Sequence, residues 1–390
     1  MKTLEIEGVS YTSDFMYASL DFSSVSSQDL TQSIDYIASR YAVMANQINS
    51  NCVGEEKNNK LKALNDMVAS TKNDIAKKFS DNIGSFFEEN GVTGEKEKIY
   101  QSVLSAFDNQ IADYADFMEK NTDYAHINGT KDQWLKNDSA YMACELRKAK
   151  SVDSNISATN KNDSSYTVDE LSKMKDLVCE IKSYSPENLS SKNRVNKWGT
   201  EEEIGMQLSQ VALKGEVFNK YANVSENVKN IVTKSIGNFI DNAINAVQNN
   251  LDTEIKIKGS NIPAEVLNGY GALDKNAIYG VINKVKSTYE STEDVQEALF
   301  SGAKLAHREN TGKIQDSKFT QLYRYKHSTY WNNFYESSNK IDDEPDILGF
   351  YKPNAEPEIN NIINSWNNFV KGFTVDESVQ LKFNHYSIYA

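Results

Sequence analysis

The longest helical pattern in the chain runs from Glu56 to Asn90 and constrains the fold more than any other stretch. Apolar residues recur there at steps of three, four or seven, which places them on one face of an α-helix. At a rise of about 1.5 Å per residue, such a helix is roughly 50 Å long. Its apolar positions are Leu61, Leu64, Val68, Ile75, Phe79, Ile83 and Phe86. The pattern predicts a long amphipathic helix and gives no indication of an activity.

Two further amphipathic patterns flank the long one. The first starts at Ser26, where Ser26-Ser27-Gln28-Asp29 can cap free backbone N–H groups. Its apolar residues form a narrow heptad stripe, namely Leu30, Ile34, Ile37, Tyr41, Met44 and Ile48. The other starts at Thr93 and carries Ile99, Val103, Phe107, Ile111, Tyr114 and Met118 on one side. Because the connections are short, we predict antiparallel neighbours.

The end of the long helix and the absence of proline support the same architecture. Asn90-Gly91 is typical of a helix that closes on a left-handed residue. No proline precedes Pro186, so nothing in the first half of the chain obliges a helix to kink. We therefore predict an N-terminal three-helix bundle unit over residues 1–122.

Three regions are predicted to follow this bundle. Residues 123–166 have the composition of a polar linker, with one short helix near Trp134 to Lys148. A second helical unit is expected over 167–260, starting at the capping box Thr167 to Glu170. The remainder, 261–390, is predicted to be an aromatic-rich α+β region. Its helical patterns cover Asp274 to Tyr289, Glu293 to His307, Lys318 to Tyr335 and Pro357 to Phe373.

Short alternating patterns predict a small β element. Apolar residues alternate around Gly8, again within 253–258 and again within 379–385. They are Leu4, Ile6, Val9, Tyr11, Ile255, Ile257, Val379, Leu381 and Phe383. We predict a mainly α fold of elongated antiparallel helical bundles, with a small sheet of strands near the termini and around 253–258.

Charge and composition restrict the partners. The chain has 42 Lys+Arg against 55 Asp+Glu, a formal net charge of −13, which repels phosphate backbones, so we expect no nucleic acid. No segment reaches the roughly 18 to 20 apolar residues of a membrane span, so we expect no stable membrane insertion. Three scattered cysteines fit neither a disulfide framework nor a zinc site, and we expect no metal and no cofactor. The N-terminus lacks a signal-peptide pattern, which predicts a cytoplasmic protein or secretion by a leaderless route.

Catalytic motifs are scarce. The sequence contains no phosphate-binding glycine loop, no H-E-x-x-H and no G-x-S-x-G. His307-Arg308-Glu309 is the best general acid/base candidate because its neighbours can tune the histidine, and His327 is a further candidate. The competing interpretation places His307 as a cation at a helix C-terminus.

An aromatic and basic stretch is the most unusual local composition. Aromatic side chains alternate there with cationic ones, as in stacking platforms for bases, sugars or proteins. The candidate binding residues are Tyr323, Arg324, Tyr325, Lys326, Tyr330, Trp331 and Tyr335. Helical spacing of Phe319, Tyr323, Tyr330 and Phe334 equally favours an ordinary core stripe.

Two functions remain open at this point. The preferred prediction is a non-enzymatic helical structural or interaction protein, an oligomer or partner-binding component of leaderless secreted, phage or appendage-associated type. Heptad stripes suit an oligomer because they bury equally well against a second copy. The alternative is an effector or enzyme, with an N-terminal helical delivery or docking region and an active C-terminal region containing His307, Arg324 and His327.

Overall fold

The structure is a computed structural model that describes residues 3–6, 8–12, 27–121, 139–153, 165–184, 200–258, 274–316, 356–374 and 381. These residues form two compact units, Met1–Asp176 and Leu177–Ala390. Within the described ranges the chain is mainly α, which confirms the predicted fold class. The predicted four-region division of the chain, with boundaries near 122, 166 and 260, stays a prediction.

The first unit opens with a hairpin and continues with helices. Strand β1 (Thr3–Ile6) pairs antiparallel with β2 (Val9–Thr12), with Leu4 opposite Tyr11. Gly8 lies between the strands at φ 80°, a backbone conformation that favours glycine. The helices are α1 (Ser27–Asn51), α2 (Gly54–Glu89), α3 (Glu95–Lys120) and α4 (Ser139–Asp153).

Side-chain pairs along α2 and α3 establish that these helices run antiparallel. Lys72 pairs with Asp108, and further along α2 Asp81 pairs with Lys96. As the residue number on α2 increases from 72 to 81, the number of its partner on α3 decreases from 108 to 96. The predicted antiparallel packing is therefore correct for this pair. It is also correct for α1 and α2, because Leu30 lies beside Ile83 near the end of α2, whereas Tyr41, later in α1, bonds to Asn65, earlier in α2.

Packing buries the stripes that the periodicity indicates. The core residues of α1 include Leu30, Ile34, Ile37, Met44 and Ile48, all at most 4% exposed. Helix α2 buries Leu64, Val68, Ile75, Phe79, Ile83 and Phe86 on its apolar face. The heptad stripe of α1 is thus covered inside the first unit, by α2, α3 and α4.

Local capping residues set several helix ends. Asn90 and Gly91 close α2 through backbone bonds to Phe86 and Glu88, with Gly91 at φ 77°. Helix α5 (Val168–Lys182) starts with the predicted capping box. The Thr167 hydroxyl accepts from the Glu170 backbone N–H at 3.1 Å, and the Glu170 carboxylate accepts from the Thr167 N–H at 3.0 Å.

The second unit is arranged around α6 (Thr200–Tyr221). The other helices described there are α7 (Glu226–Lys258), α8 (Lys275–Thr292), α9 (Val295–Asp316) and α10 (Glu356–Lys371). All four pack on α6. Gly205 and Gly302 permit close approach, because a Cβ at either position would lie within 3 Å of a valine side chain of α8.

The strand predicted over 253–258 is wrong, because this segment forms the last turns of α7. The expectation rested on Ile255 and Ile257 alternating with charged residues. From Glu226 to Lys258 the sequence has no proline and one glycine, so nothing ends the helix earlier. Extending an existing helix costs little compared with starting a strand. Strand β1 pairs instead with its neighbour β2.

Two other expectations lie outside the described residues. They are the C-terminal strand over 379–385, of which Leu381 alone is described, and the helix over Lys318 to Tyr335. Among the described helices, none is long and apolar enough to cross a bilayer.

Candidate functional site

The side chains singled out by the sequence lie outside the described residues. The backbone of α9 includes His307, Arg308 and Glu309. The side chains of these three residues are not among those described. His327 and the whole aromatic binding set, from Tyr323 to Tyr335, fall within 317–355 and are likewise not described. Their roles stay predictions. The described part of the chain brings together two other clusters of charged and aromatic side chains.

The first cluster is centred on Asp35 of α1 and consists of Asp35, Gln110, Tyr114 and Arg147, hereafter the Asp35 cluster. Gln110 donates to Asp35 Oδ1 at 3.0 Å, and the Tyr114 hydroxyl donates to the same oxygen. Arg147 Nε donates to Oδ2 at 2.8 Å. Both carboxylate oxygens therefore accept hydrogen bonds, from side chains on α3 and α4.

Cations line one side of the Asp35 cluster. The Arg40 guanidinium lies 3.7 Å from the centre of the Tyr36 ring, and the Arg147 guanidinium lies 5.7 Å from it. Lys150 Nζ lies 4.3 Å from the Tyr114 ring and 3.8 Å from the Asp113 carboxylate. The Arg40–Tyr36 contact lies within α1, whereas the contacts of Arg147 and Lys150 join α4 to α1 and α3 by cation–π and ionic attraction.

Burial shifts the pKa values of Tyr114 and Lys150. Desolvation and the hydrogen bond to Asp35 raise the pKa of the Tyr114 hydroxyl above its ordinary value, so Tyr114 stays a proton donor. Desolvation lowers the pKa of the Lys150 amine, while the carboxylates of Asp113 and Asp35 oppose that change. The Tyr114 hydroxyl donates and the Asp35 carboxylate accepts, so the hydrogen bonds of the cluster join α1 to α3 and α4.

Separately from the Asp35 cluster, a chain of hydrogen bonds in the first unit joins the hairpin to the helices. Tyr11 of β2 lies 3.0 Å, hydroxyl to hydroxyl, from Ser139 at the start of α4. Ser139 donates in turn to the Gln47 amide oxygen of α1 at 2.8 Å. The three buried groups satisfy one another. They fix the position of the hairpin against α1 and α4.

The second cluster surrounds Lys214 of α6 and consists of Lys214, Glu180, Tyr184, Trp366 and Phe369, hereafter the Lys214 cluster. Lys214 is 2% exposed, and its ammonium donates to the Glu180 carboxylate. Nζ also lies 5.2 Å from the Trp366 ring, 5.1 Å from that of Phe369 and 5.3 Å from that of Tyr184. One buried cation thus meets three aromatic rings and a carboxylate.

The pKa values in the Lys214 cluster reflect its burial. Desolvation lowers the pKa of the Lys214 amine, and the hydrogen bond and charge of Glu180 oppose that change. Burial, together with the Glu180 charge, raises the pKa of the Tyr184 hydroxyl to about 12. The Tyr184 hydroxyl donates to the amide oxygen of Gln210 on α6 at 3.0 Å.

The Lys214 cluster is also where α10 contacts the rest of the second unit. Phe373, just beyond the end of α10, packs edge-on against Phe218 of α6 with ring centres 5.4 Å apart. Phe369 contacts Phe373 edge-to-face with ring centres 4.9 Å apart, and Trp366 contacts Phe369 in the same way at 6.0 Å, so the three rings form one continuous face. The arrangement is a helix seated in a groove by aromatic anchors.

No metal site emerges from the described side chains, since no group of three His, Cys, Asp or Glu among them is placed to hold an ion. The buried thiol of Cys52 lies 3.7 Å from Lys60 Nζ at the turn between α1 and α2. The thiol also lies 4.0 Å from the Glu56 carboxylate, and one thiol, one amine and one carboxylate do not assemble a metal-ligand set.

Sequence reasoning did not identify either cluster as a site. In the sequence, Tyr114 belongs to the apolar stripe of α3, and spacing does not single out Asp35 or Lys214. Their ionic partners, Arg147 and Glu180, lie on other helices and cannot be identified from spacing.

Comparison with known proteins supplies no relative: no family model, no curated protein and no solved structure matches this chain.

Proposed function

We propose that this chain is a non-enzymatic helical protein that acts through contacts with other protein chains, including further copies of itself. The observation that carries the proposal is the use of the Asp35 carboxylate. A catalytic carboxylate must be free to exchange a proton with a substrate or to approach a reacting atom. Both oxygens of Asp35 instead accept from side chains of α3 and α4. The Asp35 cluster therefore serves helix packing in this proposal.

The Lys214 cluster supports the same function. Its ammonium and carboxylate pair with each other, and its rings anchor α10 on α6. Aromatic anchors set in a groove are a recurring means of protein recognition. The net charge of −13 opposes a nucleic-acid partner, so the proposed partners are proteins. Action in the cytoplasm or after leaderless export both fit this proposal.

The heptad stripe of α1 does not provide the interacting surface. Its residues Leu30, Ile37 and Met44 are at most 1% exposed within the first unit. Self-association through that stripe would require the bundle to open. The association surface is therefore expected on other faces of the chain.

Chemical cross-linking of the purified full chain tests the proposal. At rising concentration we expect cross-links between identical peptides from two copies, or between the chain and a protein that co-purifies with it. The same reaction in urea serves as the control and should abolish those cross-links. Cross-links confined to single chains at every concentration, with no co-purifying protein, would refute the proposal.

A further inference from the structure

Helix α2 closes on an Asn-Gly pair, Asn90-Gly91, a dipeptide that deamidates spontaneously in unfolded chains. In this reaction the backbone nitrogen that follows the asparagine attacks the side-chain amide carbon, and a cyclic imide forms. The amide nitrogen leaves as ammonia with the proton of the attacking N–H, and water then opens the imide to aspartate or isoaspartate. Glycine favours the reaction because it has no side chain to hinder the attacking nitrogen.

Both reacting groups of the Asn90-Gly91 pair are engaged in the folded first unit. The Asn90 side chain is buried, at 4% exposed, and its Nδ2 donates to the Phe86 carbonyl at 2.7 Å. The Gly91 N–H, which would supply the attacking nitrogen, donates to the Glu88 carbonyl at 3.1 Å. The leaving group and the nucleophile are thus held by two carbonyls at the end of α2.

The backbone angle at Asn90 also keeps the two groups apart. Asn90 has ψ 32°, which places the Gly91 nitrogen nearly trans to the Asn90 Cβ about the Cα–C bond. The cyclic imide requires these two atoms to be nearly eclipsed. The necessary rotation breaks the Gly91 bond to Glu88 and the next one, from the Val92 N–H to the Phe87 carbonyl at 2.9 Å. Deamidation therefore requires the end of α2 to open.

The product of the reaction does not restore this helix end. A carboxylate at position 90 has no N–H to donate, so its oxygen would face the Phe86 carbonyl in place of Nδ2. The new negative charge would also lie at the negative end of the α2 dipole, beside Glu88 and Glu89. Isoaspartate adds a methylene group to the main chain of the turn. Each of these changes disfavours closure.

We propose that Asn90 is a deamidation site controlled by the fold of the first unit. The closed end of α2 protects the asparagine, opening of that end admits the reaction, and the product keeps the end from closing again. Local opening of α2 therefore leaves a covalent and irreversible mark on the chain. This site acts within a single chain and is independent of the proposed binding to other chains.

Peptide mapping by mass spectrometry tests the protection of Asn90 in the full chain, held at mildly alkaline pH. The sequence supplies two reference pairs, Asn128-Gly129 and Asn268-Gly269. In guanidinium chloride that unfolds the chain, we expect all three asparagines to react at similar rates, because only chain neighbours then govern the chemistry. Without denaturant, the Asn90 rate should fall at least about tenfold, since the reaction proceeds only from the open fraction.

Three substitutions test the effect of the product. Asn90→Asp reproduces the deamidated side chain, and we expect its melting temperature to fall by several degrees. Asn90→Ala removes the same hydrogen bond without adding charge and should fall less. Asn73→Asp is the matched control, because Asn73 is exposed in the middle of α2 and accepts from the Tyr100 hydroxyl, which a carboxylate can also do. Its melting temperature should stay near that of the wild type.

Three results would overturn the proposal. Equal rates at Asn90 with and without denaturant would show that the fold gives no protection. An Asn90 that stays intact in denaturant while Asn128 and Asn268 react would remove the site itself. A melting temperature of Asn90→Asp equal to that of Asn73→Asp would show that the product does not prevent closure of α2.

Discussion

At the residue scale, this chain places charges where their desolvation is costly. Asp35 and Lys214 each lie within a helix interface and are compensated by named partners. Removing one member of such a group leaves the others without hydrogen bonds, whereas replacing a whole ion pair by apolar groups is often neutral. The two residues therefore differ from surface ion pairs such as Lys78 with Asp74, whose side chains are 55% and 41% exposed.

Asp35→Ala should destabilise the first unit by about 3 kcal/mol, because it leaves three buried or half-buried donors without an acceptor. Chemical denaturation followed by circular dichroism measures the change. Asp74→Ala is the matched control, since it removes a carboxylate from an exposed pair within one helix, and it should cost at most about 0.5 kcal/mol. Equal effects from the two substitutions would contradict the structural role of the Asp35 cluster.

The Lys214–Glu180 pair should respond asymmetrically. Lys214→Met removes the buried charge while keeping a flexible side chain, and we expect a free energy of unfolding within about 1 kcal/mol of wild type or higher. Glu180→Ala leaves the ammonium without its carboxylate and should cost about 2 kcal/mol, less than a fully buried case because Glu180 is partly exposed. Urea denaturation of the two variants compares them. A larger loss for Lys214→Met than for Glu180→Ala would contradict this assignment.

The pH dependence of stability follows from the same pair. The Lys214 pKa in the folded chain lies below its ordinary value of 10.5, so between these two values the unfolded chain binds more protons than the folded chain. Stability therefore rises as the pH is raised through that window, and it is lost as the pH falls through the folded pKa. Subtracting the Lys214→Met profile from the wild-type profile isolates this contribution from other titrating groups. A difference that declines with rising pH would be inconsistent with a lowered Lys214 pKa.

At the element scale, helix approach depends on individual glycines. A Cβ built on Gly84 of α2 would lie 2.5 Å from the Lys96 Cα of α3, closer than real side-chain contacts allow. Gly237 of α7 is exposed, and a Cβ there meets nothing within 4 Å. The first glycine is required by packing, while the second only weakens its helix.

Alanine at these two positions should change stability in opposite directions. Gly84→Ala forces α2 and α3 apart and should cost about 2 kcal/mol. Gly237→Ala removes backbone entropy from the unfolded chain and should add about 0.5 to 1 kcal/mol. Thermal unfolding of the two variants in parallel measures both. If Gly84→Ala proves neutral or stabilising, the close contact between α2 and α3 is incorrect.

Sequence reasoning predicts elements well where the information is local. The capping box at Thr167 and the closing turn at Asn90-Gly91 involve neighbours in the chain, and both are found as expected. The strand prediction for 253–258 is wrong because the alternation of two isoleucines is a weaker signal than a long helix that no proline interrupts. The Asp35 and Lys214 clusters could not be predicted, because their members come from helices far apart in sequence and meet only through packing.

At the scale of the whole molecule, the described residues cover the heptad stripe of α1 and form two internal clusters of charged side chains. The formal charge of −13 repels identical copies, and physiological salt screens that repulsion beyond about 8 Å. Apolar contacts between copies would not be weakened by salt. Self-association is therefore expected to strengthen as ionic strength rises, the opposite of an interface made of complementary charges.

Multi-angle light scattering of the full chain, recorded over a wide range of protein concentrations at physiological salt, tests the central claim most directly. If the chain acts by binding other copies, its weight-average mass should rise from one chain towards two as concentration increases. A mass that stays at one chain throughout the range would contradict self-association.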